Sequence, residues 1–293
     1  MKTEARVVLA RGLMLLALVA IVAGCASLPT GRFDALAAAS KGVEMRTLQT
    51  DADVVKLTRR FMVFVPAPLP YKVDSFKPIV DGQDFDFAPR LEPRQVALDV
   101  LASYTEALAA FARKDYQGEL DRATMSLGGS VERLASHAGS SAAARKGAGI
   151  LATAVNGLRR AVIERMRRNA LRRVMDEAAP GITGIVDFVK DINGSSALAV
   201  TVMRDSMIRT ANRAAVTDGM ARLQLNAAVE GVIVDSAAIL AQLKQESAAV
   251  AALVPAHAEI RAALDGDERT SLDKLKAFVA EVKRLQGVSS SKE

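Results

Sequence analysis

From Pro93 onward, apolar side chains recur at intervals of three and four residues, the spacing that lines them along one face of an α-helix. Ala97, Tyr104 and Phe111 fall in one column, with Leu101 and Leu108 between them. Leu120, Leu127 and Leu134 mark a second helix, with Thr124 and Val131 filling its seam. Lys114-Asp115 reads as the junction between the two. Gly139-Ser140-Ser141 breaks the pattern and supplies a cap for the helix that follows.

Longer helical segments come next. Ser141 to Ala178 carries Leu151, Leu158, Val162 and Met166, and Pro180-Gly181 is expected to punctuate it. Ile182, Val189 and Met203 then form one column, with Ile185, Ile192, Ala199 and Met207 beside it and Gly194 as a candidate kink. After Thr217-Asp218-Gly219 the periodicity is strongest. Val229, Ser236, Leu243, Val250, His257 and Leu264 make one column, and Val232, Ile239, Glu246, Leu253 and Ile260 the other. This is a coiled-coil-like seam, which Pro255 is expected to bend or break. Asp265 to Thr270 reads as a turn. Ser271 caps a last helix with Leu272, Leu275, Val279, Val282 and Leu285 inward, and Gly287 opens a frayed tail.

The chain before Pro93 is less regular. Phe33 to Arg46 predicts a short helix, and Asp51 to Leu57 a second one capped by Asp51. The apolar run Phe61 to Val65 fits either a strand or the end of a buried helix. Six of the nine prolines lie between Pro66 and Pro93. They favour an extended strap whose Tyr71, Phe76, Ile79, Phe85 and Phe87 dock on the bundle, with Pro93 as a first helical residue. The pattern as a whole predicts an all-α fold: an elongated antiparallel helical bundle with long heptad-patterned helices, preceded by a Pro-rich extended segment.

At the N-terminus the pattern is of another kind. Lys2, Arg6 and Arg11, against Glu4, precede a short uncharged run, Gly12 to Gly24, that ends at Cys25. A basic start, a short apolar run and small residues before a cleavage point describe a secretory signal peptide. The run is too short to span a bilayer, which takes roughly 20 residues. Val22-Ala23-Gly24-Cys25 resembles the lipobox of bacterial lipoproteins. The resemblance covers the signal region alone, and no family is recognised for the mature domain. It implies cleavage between Gly24 and Cys25, a diacylglyceryl thioether on the Cys25 sulfur and anchoring of the chain to a membrane. Ala26 and Ser27, neither of them acidic, favour the outer membrane, with the protein facing the periplasm. The organisation that follows is a signal peptide over residues 1–24, a lipidated tether over 25–32, short helices and strap over 33–92, the bundle over 93–286 and a disordered tail over 287–293.

Composition sharpens two points. Cys25 is the only cysteine, so once it bears lipid the fold has no disulfide to rely on, even in an oxidising compartment. Half of the residues are hydrophobic, with no tryptophan, nine phenylalanines and three tyrosines, a balance that favours helices. The net charge of +6 is mild and gives no argument for nucleic acid. Beyond Cys25 no stretch is read as apolar enough to cross a membrane. Asp187, Lys190 and Asp191 interrupt one apolar run, and Glu230 and Asp235 another.

The residues that can carry chemistry are few. His137 and His257 have no histidine or cysteine at ligand spacing; the first reads as a helix-end residue and the second as a hydrogen-bonded core histidine. Ser130 in Gly128-Gly129-Ser130-Val131 lacks the Gly-x-Ser-x-Gly frame. Gly147-Ala148-Gly149 lacks the third glycine of a dinucleotide fingerprint. Asp81, Asp84 and Asp86, and the run from Asp265 to Glu268, lack the spacing of a calcium loop. The strongest cluster is basic: Arg159, Arg160, Arg165, Arg167, Arg168, Arg172 and Arg173, with Glu164 among them. Arg160, Arg167, Arg168 and Arg172 are candidates for contact with phosphate or an anionic partner. A solvated face paired with acids on neighbouring helices is the competing reading.

These features predict a non-enzymatic bacterial envelope lipoprotein, a lipid-anchored periplasmic scaffold or partner-binding module. Its expected partners are the membrane, through acylated Cys25, and an envelope protein; no metal, cofactor or nucleic acid is expected. A membrane-active or lipid-binding bundle is the alternative. A hydrolase built on two scattered carboxylates stands behind both.

Overall fold

The apolar columns read from the sequence meet at the centre of an all-α antiparallel bundle. The computed structural model describes residues 28–64, 71–72, 77–80, 83–84, 88–113, 117–137, 139–158, 164–265 and 272–287. Helix α1 (Thr30–Phe64) is followed by three short strands, β1 (Tyr71–Lys72), β2 (Lys77–Val80) and β3 (Gln83–Asp84). Six further helices follow: α2 (Ala88–Ala112), α3 (Gln117–Ser136), α4 (Ala142–Asn156), α5 (Glu164–Arg213), α6 (Gly219–Ala263) and α7 (Asp273–Gly287). The strands pair antiparallel in chain order, Tyr71 opposite Pro78 and Ile79 opposite Asp84.

Contacts at successive levels fix the helix directions. Arg113 of the segment after α2 meets Asp34 near the start of α1, while Arg94 near the start of α2 meets Asp51 in mid-α1. Near its N-terminus α5 reaches Phe111 and Arg113 through Arg167, and further along it reaches Arg94 through Asn193. Arg172 at the start of α5 touches Leu264 just past the end of α6, and Asn193 touches Ser247. So α1 and α5 run one way and α2 and α6 the other. These four form the central layer; α3 covers α2, α4 covers α5, and α7 lies against α6 and α1.

The predicted columns are buried almost throughout: Ala97, Leu101, Tyr104, Leu108 and Phe111 on α2, Leu120, Leu127 and Leu134 on α3, and Val232 through Leu264 along α6. Thr124, Val131, Ile192 and Val229 sit at seam edges and are half-buried. Ser141 caps α4 by accepting from the Ala144 N–H at 3.1 Å, and Asp218 caps α6 by accepting from Ala221 N–H at 2.7 Å.

Several expected breaks are absent. Instead of two short helices, α1 is continuous from Thr30 to Phe64. Thr47 and Thr50 donate to the carbonyls of Val43 and Arg46 one turn back, and Asp51 is no cap but a buried residue inside the helix. The run from Phe61 is the end of this helix rather than a strand. Pro93 lies inside α2, which begins at Ala88. Pro180 and Pro255 do not interrupt α5 or α6, and α5 also runs on through Gly194. An interior proline costs roughly 3 kcal/mol. Beyond Pro180, however, Ile182, Ile185, Val186 and Val189 are all buried, at about 1.5–3 kcal/mol each. Both prolines are exposed, where water can reach a carbonyl left unpaired one turn back. The break falls earlier than expected, with α4 ending at Asn156 and α5 starting at Glu164. The Lys114-Asp115 junction, the Ser271 cap, the strap aromatics Phe76, Phe85 and Phe87, Cys25 and the residues after Gly287 lie outside the described residues.

Helix α4 crosses α5 closely because glycine faces glycine. A Cβ on Gly147 would lie 2.7 Å from the Gly181 carbonyl oxygen, and one on Gly181 2.7 Å from the Gly147 oxygen. In the Gly147-Ala148-Gly149 sequence, Gly147 therefore serves the helix crossing, while an added Cβ on Gly149 would meet nothing within 4 Å.

Candidate functional site

The apolar interior is divided in two. The larger cluster includes Leu36, Val43, Val96, Leu101, Val189, Val250 and Leu253; the smaller includes Val54, Leu57, Leu91, Val200, Met207, Ile239 and Leu243. Between them, at one level on four helices, lies a polar layer: Thr50 and Asp51 on α1, Arg94 and Gln95 on α2, Asn193 on α5, and Glu246 and Ser247 on α6.

Arg94 is the hub and is fully buried. Its guanidinium pairs with the Asp51 carboxylate, donates to the Asn193 side-chain oxygen, and lies 3.3 Å from Glu246 Oε2. Thr50 donates to the other oxygen of Glu246. Gln95 donates to Asp51 Oδ2 at 2.6 Å, and the Asn193 amide donates to Ser247 Oγ at 3.1 Å. Burial pushes the Glu246 carboxyl above the usual carboxylate range and the Arg94 guanidinium below its ordinary value; the opposite charge beside each works against that burial. Asp51 and Glu246 are two acids that the fold brings to one buried point, and an arginine lies between them.

A second buried contact stands deeper in the larger cluster. The Tyr104 hydroxyl and His257 Nε2 are 2.9 Å apart, with the rings tilted at 44°. Desolvation lowers the His257 pKa to about 4 and raises that of Tyr104 well above its ordinary value, so both are neutral near pH 7. His257 is a hydrogen-bonded core residue, as its column predicted. His137 follows α3; its Nδ1 accepts from the Gly139 N–H at 3.1 Å, and Nε2 lies 3.3 Å from Glu92.

The basic run does not form one surface. Arg167 is buried, stacks over the Phe111 ring at 5.3 Å, and donates to the carbonyls of Phe111 and Arg113. Arg172 donates through Nε to the Leu264 carbonyl at 2.8 Å and lies 3.1 Å from Asp265. Each guanidinium thus occupies the C-terminal end of a neighbouring helix, where unpaired carbonyls and the helix dipole favour positive charge. The expectation that Arg167 and Arg172 face an outside anion does not fit this geometry. Arg168 is half-buried and Arg173 exposed, while Arg160 lies outside the described residues. The converse arrangement caps α7: the Glu259 carboxylate accepts from the Lys274 N–H at 3.1 Å and the Leu275 N–H at 2.8 Å.

On the outside, α1, α2 and α3 border a groove of about 620 Å³, lined by Ala37, Ala102, Ala109 and Ala123 among others. Arg113 spans it, donating to Asp34 at 2.8 Å and to Glu119 at 2.7 Å, and these bonds raise its pKa. Ser130, read from sequence only as a serine without a nucleophile frame, is buried in α3 and donates to Asp99 at 2.6 Å. No group of three or more His, Cys, Asp or Glu able to hold a metal occurs among the described residues.

One sequence expectation is overturned here. Helix α6 contains an 18-residue window with at most two charged residues, long and apolar enough by length and composition to cross a membrane, and only 17% of that window is buried.

Fold and site together define a seven-helix all-α bundle, counted among the described residues, with a charged layer at mid-height. No family model, curated protein or solved structure matches the chain.

Proposed function

We propose that this protein is a non-enzymatic, lipid-anchored scaffold of the bacterial envelope. Signal cleavage before Cys25 and acylation of its sulfur tie the bundle to the outer membrane on the periplasmic side, where it holds an envelope protein partner. One observation carries the non-enzymatic reading: among the described residues, the buried ionisable side chains link their own helix to one or more others. Arg94 joins α2 to α1, α5 and α6; Glu246 joins α6 to α1 and α2; Arg167 joins α5 to the end of α2; His257 joins α6 to α2. A glycan-cleaving carboxylate pair needs both acids facing a substrate cleft. Asp51 and Glu246 are instead buried and share an arginine, and Asp34 and Glu119, which line the outer groove with Glu106, are both paired with Arg113; this supports a structural role.

Mass spectrometry of the N-terminal peptide from native envelopes tests the anchor. The expected peptide starts at Cys25 and carries a diacylglyceryl group; an intact, unacylated N-terminus would overturn the reading. Crosslinking in the same membranes tests the scaffold role. A discrete crosslinked partner is expected for the wild type and its loss for Cys25→Ala; no partner in either would refute the role.

A further inference from the structure

The α5–α6 hairpin continues past the end of α1. Arg60, one turn before the end of α1, meets Asp235 of α6. From that level α1 runs on to Phe64, whereas α6 extends back to Gly219, so the hairpin clears the end of α1 by about 18 Å at 1.5 Å per residue. Among the described residues nine large hydrophobic side chains are exposed, and six belong to this hairpin: Leu198, Val202, Met220, Leu223, Ile233 and Val234. Leu198, Met220 and Leu223 are each more than 60% exposed.

The exposure is ordered. Along α6, Met220, Leu223, Ala227 and Val234 share a stripe opposite the buried Val232 and Ile239. Along α5, Leu198 and Val202 share a stripe with Arg209 and Arg213, both exposed at the turn end, opposite buried Met203 and Met207. Around the turn, Arg204, Arg209, Arg213 and Arg222 outnumber Asp205 and Asp218; further back along α6, Glu230 is exposed on the stripe and Asp235 meets Arg60. Arg204 pairs with Asp205, and Arg222 donates to the Ala214 and Val216 carbonyls that end α5. An apolar strip with cations at its tip matches the interface of an anionic bilayer, where acyl chains take the apolar side chains and phosphates take the guanidinium groups. A second copy fits less well, because two such tips bring the same arginines together.

We infer that the tip of the α5–α6 hairpin docks on an anionic phospholipid surface, with Met220 and Leu223 in the interface and Arg209 and Arg213 on lipid phosphates. This site needs no acyl chain. It is therefore tested on residues 26–293, which keep every helix of the described residues and lack Cys25, so failure of the anchor reading and failure of this one are distinguishable.

The experiment is flotation with vesicles of phosphatidylcholine alone or with phosphatidylglycerol added. Binding to the anionic vesicles is expected. Arg209→Ala with Arg213→Ala should weaken it about thirty-fold, at roughly one kcal/mol per arginine near the surface. Leu223→Glu, its helicity checked by circular dichroism, should abolish it. Because the chain has no tryptophan, Leu223→Trp supplies a single emitter whose blue shift on anionic vesicles reports burial in lipid. A wild-type chain that stays off anionic vesicles, or binding that neither variant changes, overturns the proposal. So does a dimer in light scattering that Leu223→Glu dissolves.

Discussion

The Tyr104 hydroxyl lies 2.9 Å from His257 Nε2, and both residues are buried. Tyr104→Phe removes only the oxygen and leaves the imidazole nitrogen without its partner. An unpaired buried polar group costs about 1–3 kcal/mol. Urea unfolding should show a lower midpoint with an unchanged slope, and a loss under about 0.5 kcal/mol would mean the bond has no energetic role.

His257 also sets a pH dependence. Its folded pKa is about 4, below the ordinary 6.5, because burial disfavours the charged ring. The unfolded chain therefore binds the extra proton first as pH falls. The stabilisation is complete above about pH 6.5, fades as pH drops, and is gone below about 4, a loss of about 3 kcal/mol. Glu246, whose pKa burial raises, contributes with opposite sign, so its stabilisation declines as pH rises. The difference between wild type and His257→Asn across pH 4 to 8 isolates the histidine; a flat difference would show that the ring takes up its proton equally in the folded and unfolded chains.

Arg94→Met should be among the most destabilising single changes, at about 3–5 kcal/mol, because it leaves Asp51 and Glu246 buried without their cation. Replacing the three together, as Arg94→Met, Asp51→Leu and Glu246→Leu, should recover most of that loss. Thermal unfolding of the two variants checks it. Equal instability in both would mean the cost is one of shape rather than charge.

Two glycines of the same helix should respond in opposite directions. Gly181→Ala forces a methyl against the Gly147 carbonyl and should cost about 1–3 kcal/mol. Gly194 is exposed with nothing within 4 Å of an added Cβ, so Gly194→Ala should stabilise by about 1 kcal/mol through helix propensity. Chemical denaturation of both measures the contrast, and a destabilised Gly194→Ala would count against an uninterrupted α5.

The heptad columns carried the fold because period is a local property of sequence. Glu246 was visible as a polar intruder in its column, yet its partners were not. Asn193 and Glu246 stand 99 and 152 residues from Arg94, and spacing along one helix says nothing of its register against another. For the same reason Arg167 and Arg172 read as surface charge, since their targets are the ends of helices whose positions only the packing defines. Pro180 and Pro255 misled in the other direction: a local penalty of fixed size was outweighed by apolar residues downstream. The Asp81-Gly82 dipeptide between β2 and β3 was an available hairpin signal.

Because α1 starts at Thr30 beside the C-terminal end of α2 and the α5–α6 turn lies at the other pole, the bundle is a ruler with a handle at each end. Helix α5 alone, at 50 residues, measures about 75 Å. Inserting seven residues at matched levels of α5 and α6 would lengthen the reach by about 10 Å while keeping every column on its face; inserting five would twist the apolar stripe away from its mates. The separation between the start of α1 and the hairpin tip is thus quantised by the heptad.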